Sequence, residues 1–460
     1  MINIHHPLPD TNDDVFLVGG SVRDSLLKQR PLDYDIVVKT DPKRYARELA
    51  AMHRTRVIDM GRGAKRIWRV VGRNVVFDVS LLKGASIEED LGLRDFTINA
   101  MAWDIRARKL VDIAGGRKDL AGKTVRMVSP AAFDHDPVRL LRAYRIAAKT
   151  GFGIEARTTA AIGQKGPMIR LAPGERVRSE WFTLLTYPSA APAVRAMAAG
   201  GLILELFPEL ADLKKCPGNR HHAYDAFVHT IETFGHLEAL TGRLGHTLPL
   251  SAARLEERMR PKRCAVLKNA ALLHDIGKPA AMTVDEKGGR HFYGHDKTGA
   301  RMIDGIGRRY KFSNHEREAT RFIVRHHLRP LFLFNQAAAA PPGRTRARFF
   351  LSCGDLVPDI VLHAAADSRG KAREVTEKHR AFIEFADRLL DDYFTGYLPR
   401  EKAAPLLDGH DLMRVYGLAP SSLIGTVLRQ VQEATIAGLI DTRREALDLA
   451  AVILGREKRS

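Results

Sequence analysis

The chain has 460 residues, 45% hydrophobic and 28% charged, with 73 Lys+Arg against 54 Asp+Glu for a formal charge of +19. That length implies several domains, and the lack of any uninterrupted apolar run of about 18 residues argues against a membrane-spanning helix. The charge points to a polyanionic partner such as nucleic acid, because each phosphate contact releases counterions, with general basicity of an Arg-rich chain as the plain alternative. Three cysteines (Cys216, Cys264 and Cys353) are odd in number and far apart, which fits a reducing cytoplasm better than a disulfide framework. The opening "MINIHHPLPD" reads as no export signal.

Residues 15–125 alternate apolar runs with helical stretches. "VFLVGG", "DYDIVV", "IWRVVG" and "NVVFDVSLL" read as strands and "DPKRYARELAAM" as a helix, the pattern of a small mixed α/β sheet. From about 130 onward no convincing strand is read, and "DPVRLLRAYRIAAKTGF", "YDAFVHTIETFGHLEAL" and "VLKNAALLHDIG" have helical spacing. The stretch 250–263 reads as charged and exposed, 334–346 as a loop, and the last ~90 residues as amphipathic helices.

In "FLVGGSVRDSLL" a strand ends at Val18, Gly19 and Gly20 make a sharp turn, and a helix opens near Ser21. Such a turn lets backbone approach an anion and offers it free N–H groups. The next strand carries Asp33 and Asp35, whose side chains point to one face roughly 6–7 Å apart. They repel unless something positive lies between them. Two Mg²⁺ ions, which prefer carboxylate and phosphate oxygens, would satisfy that need beside a triphosphate.

These motifs resemble the nucleotidyltransferase motif of the bacterial-type tRNA nucleotidyltransferase and poly(A) polymerase family, the class II CCA-adding enzymes. The resemblance implies Asp33 and Asp35 as catalytic metal ligands, with Gly19, Gly20 and Arg23 at the nucleotide. "LRDFTINAMAWD" resembles the family's second motif and implies Arg94 and Asp95 at the sugar and phosphates, supported by Asn99. "VDIAGGRKDL" is similar to its third motif and reads best as a hinge. Asp78 is a possible third carboxylate or a solvated strand residue. Only Lys83, Gly84, Ala85 and Ser86 separate "VFDVSLL" from "IEEDLGLRDFT". The full CCA-adding enzymes have a longer flexible loop here, whose movement accompanies the switch from C to A addition; its loss resembles the CC-adding branch.

"DHDPVRLLRAYRI" puts Asp136 and Arg139 on one side of a helix start. A carboxylate accepts from an exocyclic amine and a guanidinium donates to a ring acceptor. The pair would admit CTP and ATP and reject UTP and GTP, whereas its plain reading is an i,i+3 ion pair. The stretch resembles the family's nucleotide-selecting motif, which implies that Asp136 and Arg139 select the base and Arg142 assists. His135 stands where an acidic residue is usual, and Ile146 where Phe is common. "GERVRSEWF" is similar to a further helical motif, with Glu175 and Arg176 read as structural.

Six histidine and aspartate positions then fall in order on helical segments: His229, His274, Asp275, His295, His326 and Asp367. Imidazole with carboxylate suits Mn, Fe, Ni or Zn. The series resembles the HD phosphohydrolase superfamily. That implies His229, His274, Asp275 and Asp367 as ligands of one metal and His295 and His326 as candidates for a second, with Lys278 at a phosphate. The tail "LLDGHDLMRVYGLAPSSLIGTVLRQVQEATIAGLIDTRREALDLA" resembles the family's tRNA-binding tail.

The expected architecture is an α/β head with a small mixed sheet (1–128), an all-α neck (129–215), an HD domain (216–372) and a helical tail (373–460). The expected function is template-independent addition of CTP- or ATP-derived nucleotides to the tRNA 3′ end in the cytoplasm. Mg²⁺ would serve the head and a transition metal the HD domain. Alternatives are CC-only addition, poly(A) synthesis, or an HD phosphohydrolase whose first half only binds RNA. The partners are tRNA, CTP and ATP; no membrane partner and no obligate protein partner is inferred.

Overall fold

The computed structural model describes residues 4, 6–61, 63, 66–217, 224–336 and 343–457. It divides into two compact units, Met1–Leu184 with Ala196–Leu206, and Leu185–Arg195 with Phe207–Ser460.

The first unit holds a seven-stranded mixed sheet among its described residues. The strands are β1 (Val15–Val18), β2 (Asp33–Val38), β3 (Val57–Met60), β4 (Ile67–Gly72), β5 (Val75–Leu81), β6 (Met101–Asp104) and β7 (Lys109–Asp112), in the order β3-β4-β5-β2-β1-β6-β7. The central strand β2 runs antiparallel to β1, with Val18 opposite Asp35, and parallel to β5, with Asp35 opposite Asp78. A short helix, α1 (Gly20–Leu26), links β1 to β2. Period-two geometry sends Tyr34, Ile36 and Val38 to one face, where they pack with Phe77 under Tyr45, Ala46 and Leu49 of α2 (Pro42–Met52). Asp41 caps that helix by accepting from the Arg44 N–H at 2.9 Å, and Pro42 presets its first turn. On the other face Val37, Phe16 and Val18 are covered by Ile87 and Leu91 of α3 (Ile87–Gly92). Asp33 and Asp35 lie on this second face.

The four strands and the helix expected before residue 82 are all present. β3, β6 and β7 were not legible. β3 is a four-residue edge strand with three exposed residues, and Met101, Ala102 and Trp103 of β6 are all buried, so neither shows an alternating pattern. Beyond the sheet, α4 (Arg139–Thr150) buries Leu140, Leu141, Ala143, Tyr144 and Ile146 and ends at a left-handed Gly151. The helix α5 spans Gly174–Thr186.

Among its described residues the second unit is helical apart from one small hairpin. Its elements include α6 (Ala226–Thr241), α7 (Pro261–Leu273), the hairpin β8 (Thr283–Val284) and β9 (Arg290–His291), α8 (His295–Arg309), α9 (Asn314–His326) and α10 (Val357–Gly370). Leu237, Leu267, Ala270, Ile323, Val361 and Ala364 form the centre of its main core. The helical stretch Gly343–Gly370 is apolar enough to cross a membrane by composition, but 72% of that window is buried inside the protein, as expected of a core helix. Residues 334–336 end one helix and 343–346 open another, so these parts of the expected 334–346 loop are helical; 337–342 lie outside the described residues. The final helices α11 (Gly409–Tyr416), α12 (Ser422–Ile436) and α13 (Arg443–Glu457) enclose a separate core around Leu412, Val427, Ala446 and Ala450.

Phe77 of β5 is fully buried in the core that the sheet forms with α2, whereas Ile58 on β3 is half exposed. In urea unfolding, Phe77→Ala is expected to cost about 3–5 kcal/mol, and Ile58→Ala no more than about 0.5 kcal/mol.

Candidate functional site

The sheet end carries a cleft of about 820 Å³ lined by Gly19, Asp33, Asp35, Arg94, Asp136 and Arg142, among others. Gly19 has φ +70°, and a Cβ there would lie 3.1 Å from Asp35 Oδ2 and 3.3 Å from Arg94 Nη1. The backbone therefore runs close beside the carboxylate, which only glycine allows. Neither the Asp33 nor the Asp35 carboxylate has a hydrogen-bond or ion-pair partner among the described residues. Dehydration at the cleft floor, with Asp78 and Asp33 nearby, pushes the Asp35 carboxyl up to about 6 against the pull of Arg94. Asp78 itself is gripped by Arg69, whose Nε and Nη2 both donate at 2.7 Å. It is a paired strand carboxylate and adds only its charge. Two unpaired oxygen ligands on one strand face fit a hard divalent cation.

Behind them runs a buried relay. Asp95 accepts from the Phe96 N–H at 2.7 Å, Asn99 Nδ2 at 3.1 Å and Arg142 Nη1 at 3.2 Å. Burial alone would raise the Asp95 pKa, but Arg142, Asn99 and Arg139 outweigh it and hold it below the usual carboxylate value. Asn99 in turn accepts from Arg23 Nη1 at 2.6 Å, and Arg23 Nε donates to Asp24 at 2.8 Å. Arg94 donates to Asp90 through Nε and Nη2 at 2.9 and 2.7 Å. Arg23, Asp95 and Asn99 thus line the cleft with their polar ends already paired.

Asp136 and Arg139 do face each other, but loosely, with Arg139 Nε 4.0 Å from Asp136 Oδ2. Each is fixed by something else. Arg176 of α5 donates to both Asp136 oxygens, at 2.9 and 2.7 Å. Arg139 spends Nη1 and Nη2 on the carbonyls of Ala132 and Leu93, at 3.1 and 2.9 Å. Its Nε is buried without a hydrogen-bond partner. Arg176 therefore positions the Asp136 carboxylate. Glu180, one helical turn further along α5, accepts from Arg142 Nε at 2.9 Å and also pairs with Arg145. Its i,i+4 spacing from Arg176 was the available signal for it. His135 is exposed.

Between β5 and α3 the chain turns tightly. The Lys83 N–H donates to Asp90 Oδ2 at 3.0 Å and the Ala85 N–H to Glu89 Oε2 at 2.8 Å. Gly84 has φ +85°, and a Cβ there would fall 2.3 Å from Glu89 Oε2. The turn is pinned to the helix that follows it.

In the second unit the expected histidines and aspartates converge at the ends of several helices. His229 Nε2 lies 2.9 Å from Asp367 Oδ1 and 3.8 Å from Asp275 Oδ2; His274 Nε2 lies 3.1 Å from Asp275 Oδ2. His295 Nε2 lies 3.4 Å from Asp275 Oδ1 and 3.3 Å from His327 Nε2. Two triads, His229–His274–Asp275 and Asp275–His295–His327, each bring their ligating atoms within 4.8 Å of one another. The Nδ1 atoms of His229, His274, His295 and His327 sit 3.1, 2.9, 2.8 and 2.7 Å from the carbonyls of Gly370, Ala271, Phe292 and Val324. A proton on each Nδ1 leaves every Nε2 lone pair facing inward, as metal ligation requires. His274 Nε2 is buried with no hydrogen bond, so the residues fit a metal. Burial opposes ionisation of Asp275 and Asp367, but His274 and Lys278 at the first, and Lys371 and His229 at the second, hold both well below the usual range. Lys278 Nζ is 2.5 Å from Asp275 and Lys371 Nζ 2.8 Å from Asp367.

His326 is not in the cluster. Its ring packs on Phe322 at 4.3 Å, and burial beside Arg329 and Arg325 brings its pKa down to about 4. His327 takes the place expected for it, because one step at a helix end turns a side chain by about 100°. His363 was missed altogether. It is fully buried one turn before Asp367, its ring 4.8 Å from that of His274, with both nitrogens unpartnered. Burial lowers its pKa to about 3. The His363–Asp367 spacing was the signal for it.

Residues 15–126 match the family model of the poly A polymerase head domain, 151–214 that of a probable RNA and SrmB-binding site of polymerase A, and 226–390 that of the HD domain. An A-adding tRNA nucleotidyltransferase of Deinococcus radiodurans is 34% identical over 451 residues, 96% of this chain and 95% of that protein. A CC-adding tRNA nucleotidyltransferase of Thermus thermophilus is 32% identical over 449 residues, 95% and 93% of the two chains. Among solved structures, a CCA-adding enzyme with CTP is similar with a TM-score of 0.66 at 19% identity, covering 96% and 92% of the chains. A Thermotoga maritima CCA-adding enzyme complexed with tRNA gives 0.64 at 20% identity, with the same coverage.

The two adjacent histidines separate a ligand from a neighbour. In calorimetric titration with Mn²⁺ or Zn²⁺, His327→Ala is expected to weaken one binding event at least about tenfold, and His326→Ala to leave both unchanged.

Proposed function

The chain belongs to the tRNA nucleotidyltransferases with a poly(A) polymerase-type head, and we propose that within this family it is a CC-adding enzyme. The observation that carries this is the pinned turn at residues 83–86. Overall similarity does not decide, since the A-adding and CC-adding relatives are 34% and 32% identical. The full CCA-adding enzymes that the sequence resembles have a mobile loop at this place. Here Gly84 is packed against Glu89 and two backbone N–H groups are tied to Asp90 and Glu89, so the rearrangement that accompanies A addition has no segment to perform it.

Asp33 and Asp35 would hold Mg²⁺, which when bound supplies Lewis-acid activation of the tRNA 3′-hydroxyl and neutralises charge on the leaving pyrophosphate. The 3′-oxygen forms a bond to the α-phosphorus, the bond to the β-phosphate bridging oxygen breaks, and the hydroxyl proton is released. Gly19 keeps the phosphate path clear of a side chain. Asp136, held by the Arg176 fork, accepts from the amine of cytosine, and the buried Nε of Arg139 donates to the adjacent ring acceptor. Uracil and guanine present the opposite order and would leave both groups unpaired. Adenine shares the order of cytosine, so the base edge alone does not separate ATP from CTP. The fixed turn does.

The neck and helical tail would bind tRNA, whose phosphates suit the +19 charge, and the enzyme would act in the cytoplasm. In the second unit, His229, His274, Asp275 and Asp367 would hold one transition metal (Mn, Fe, Ni or Zn), with Asp275, His295 and His327 around a second. This site would hydrolyse phosphomonoesters or 2′,3′-cyclic phosphates, with Lys278 at the phosphate.

The test supplies purified protein with tRNAs ending before CCA, after one C and after CC, each with labelled CTP or ATP. CTP is expected to be transferred to the first two and ATP to none. ATP transfer to the CC-ending tRNA would contradict CC-only addition, and no transfer at all would contradict a working head. Arg176→Ala frees the Asp136 carboxylate, and loss of that charged fork is expected to lower kcat/KM for CTP about 10- to 100-fold, narrowing the CTP/UTP ratio. Arg176→Lys keeps the charge without the fork and is expected to restore only part of it.

A further inference from the structure

One buried carboxylate stands between the phosphate side of the cleft and its base-reading side. Helix α3 opens on Ser86, whose side chain accepts from the Glu89 N–H, and it packs Ile87 and Leu91 against the sheet. Its remaining buried residue is Asp90, 3% exposed. A carboxylate so dry is costly unless its oxygens are occupied, and these take three donors from two segments. Oδ1 accepts from Arg94 Nε and Nη2 at 2.9 and 2.7 Å, and Oδ2 from the Lys83 N–H at 3.0 Å. The one Arg94 nitrogen that Asp90 does not engage, Nη1, lies 3.3 Å from where a Cβ on Gly19 would stand, next to Asp35. The same segment holds a second arginine by its backbone. The carbonyls of Leu93 and Arg94 accept from Arg139 Nη2 and Nη1 at 2.9 and 3.4 Å, and the Leu93 N–H donates to the Asp90 carbonyl at 3.2 Å. Lys83, Asp90, Arg94 and Arg139 meet around a recess of about 140 Å³ that Asp95 and Arg142 complete.

We propose that Asp90 is a positioning residue of the nucleotide site. Through the Arg94 side chain it sets the charge offered to the triphosphate, and through the carbonyls of Leu93 and Arg94 it sets the guanidinium of Arg139 that reads the base. Affinity for the triphosphate and choice of base then depend on one carboxylate that itself touches no part of the nucleotide. This rests on the nucleotide-transfer reading above. Asp90→Asn keeps the shape of the side chain but gives up its charge and one acceptor oxygen, so at least one of the three donors is left unmade in a dry site. The Arg94 guanidinium then loses its hold beside Gly19, and the two carbonyls that grip Arg139 lose their tether.

The test is equilibrium dialysis of CTP and of UTP against the full chain in Mg²⁺, which reads affinity and base choice without turnover. Asp90→Asn is expected to raise the CTP Kd about tenfold, as loss of a charge-assisted bond does. It is also expected to lower the ratio of the UTP Kd to the CTP Kd at least about threefold. Gly84→Ala reaches the same carboxylate from the exposed turn: its Cβ would fall 2.3 Å from Glu89 Oε2, so the turn shifts and the Lys83 N–H leaves Asp90. It is expected to move both readings in the same directions, and to add nothing in the Asp90→Asn background. Ile87→Val loosens the packing of the same helix without touching the carboxylate. It is expected to lower the melting temperature and to leave both readings as in wild type. An unchanged CTP Kd or an unchanged ratio in Asp90→Asn overturns the proposal, because the carboxylate then holds at most one of the two arginines. If Asp90→Asn does not fold, Gly84→Ala decides by the same criterion. Equal effects of Ile87→Val also overturn it, since any loosening of the helix would then suffice. A wild-type chain that binds CTP no better than UTP overturns the base-selecting reading of the cleft, and one that binds neither overturns the nucleotide-transfer reading, in both cases taking this proposal with it.

Discussion

Two carboxylates on one face of a central strand have to be kept together and uncovered, and the head is arranged around that constraint. Strand β2 buries Tyr34, Ile36 and Val38 against α2, so its period of two leaves Asp33 and Asp35 on the opposite face. There α3 covers Val37 and Phe16, and the carboxylates stay open to the cleft. Unit charges roughly 6–7 Å apart repel by about 2–3 kcal/mol at an effective dielectric near 20, a sizeable fraction of a domain's stability. Dehydration gives the larger upward push on the Asp35 carboxyl, and the charges of Asp78 and Asp33 add to it. A fold tolerates such a pair where a cation offsets it, which is why the pair reads as a site and not as a packing fault.

The rest of the cleft follows the same logic of groups fixed before the ligand arrives. Asp136 is set by Arg176, Arg139 by the backbone carbonyls of Leu93, Arg94 and Ala132, and Asp95 by Asn99 and Arg142. A donor and an acceptor held in register need little reorganisation when a base enters, and a base of the wrong order leaves both unmade. The histidine cluster of the second unit uses the same device with different chemistry. Backbone carbonyls take the Nδ1 side of four imidazoles, so the Nε2 lone pairs have one direction left to point.

Most groups proposed to touch substrate or metal sat in motifs and were legible in the sequence, His327 being the exception. Asp33 and Asp35 stand out in "DYDIVV" because Asp is disfavoured in a strand, and the His274–Asp275 pair because a buried helix end rarely holds both. The groups that act through others were not. Arg176 and Glu180 work across an interface between helices α4 and α5, and no local pattern announces which arginine a carboxylate will meet. His326 and His327 differ by one step at a helix end, so periodicity could not choose between them. His363 is enclosed by a helix buried nearly all round, which has no polar face against which a functional residue would stand out. β6 escaped for the same reason, since its first three residues are all buried.

On the proposed function, the Asp33–Asp35 pair drives nucleotide transfer and the cleft around it binds substrates independently of that step. The most direct measurement is single-turnover CMP transfer to a tRNA lacking CCA by Asp33→Asn and Asp35→Asn variants, alongside their affinity for the same tRNA. Transfer is expected to be lost in both variants over a full Mg²⁺ titration while tRNA affinity stays within about twofold of wild type, as befits binding spread over many phosphate contacts. Transfer at an undiminished rate in either variant would contradict it.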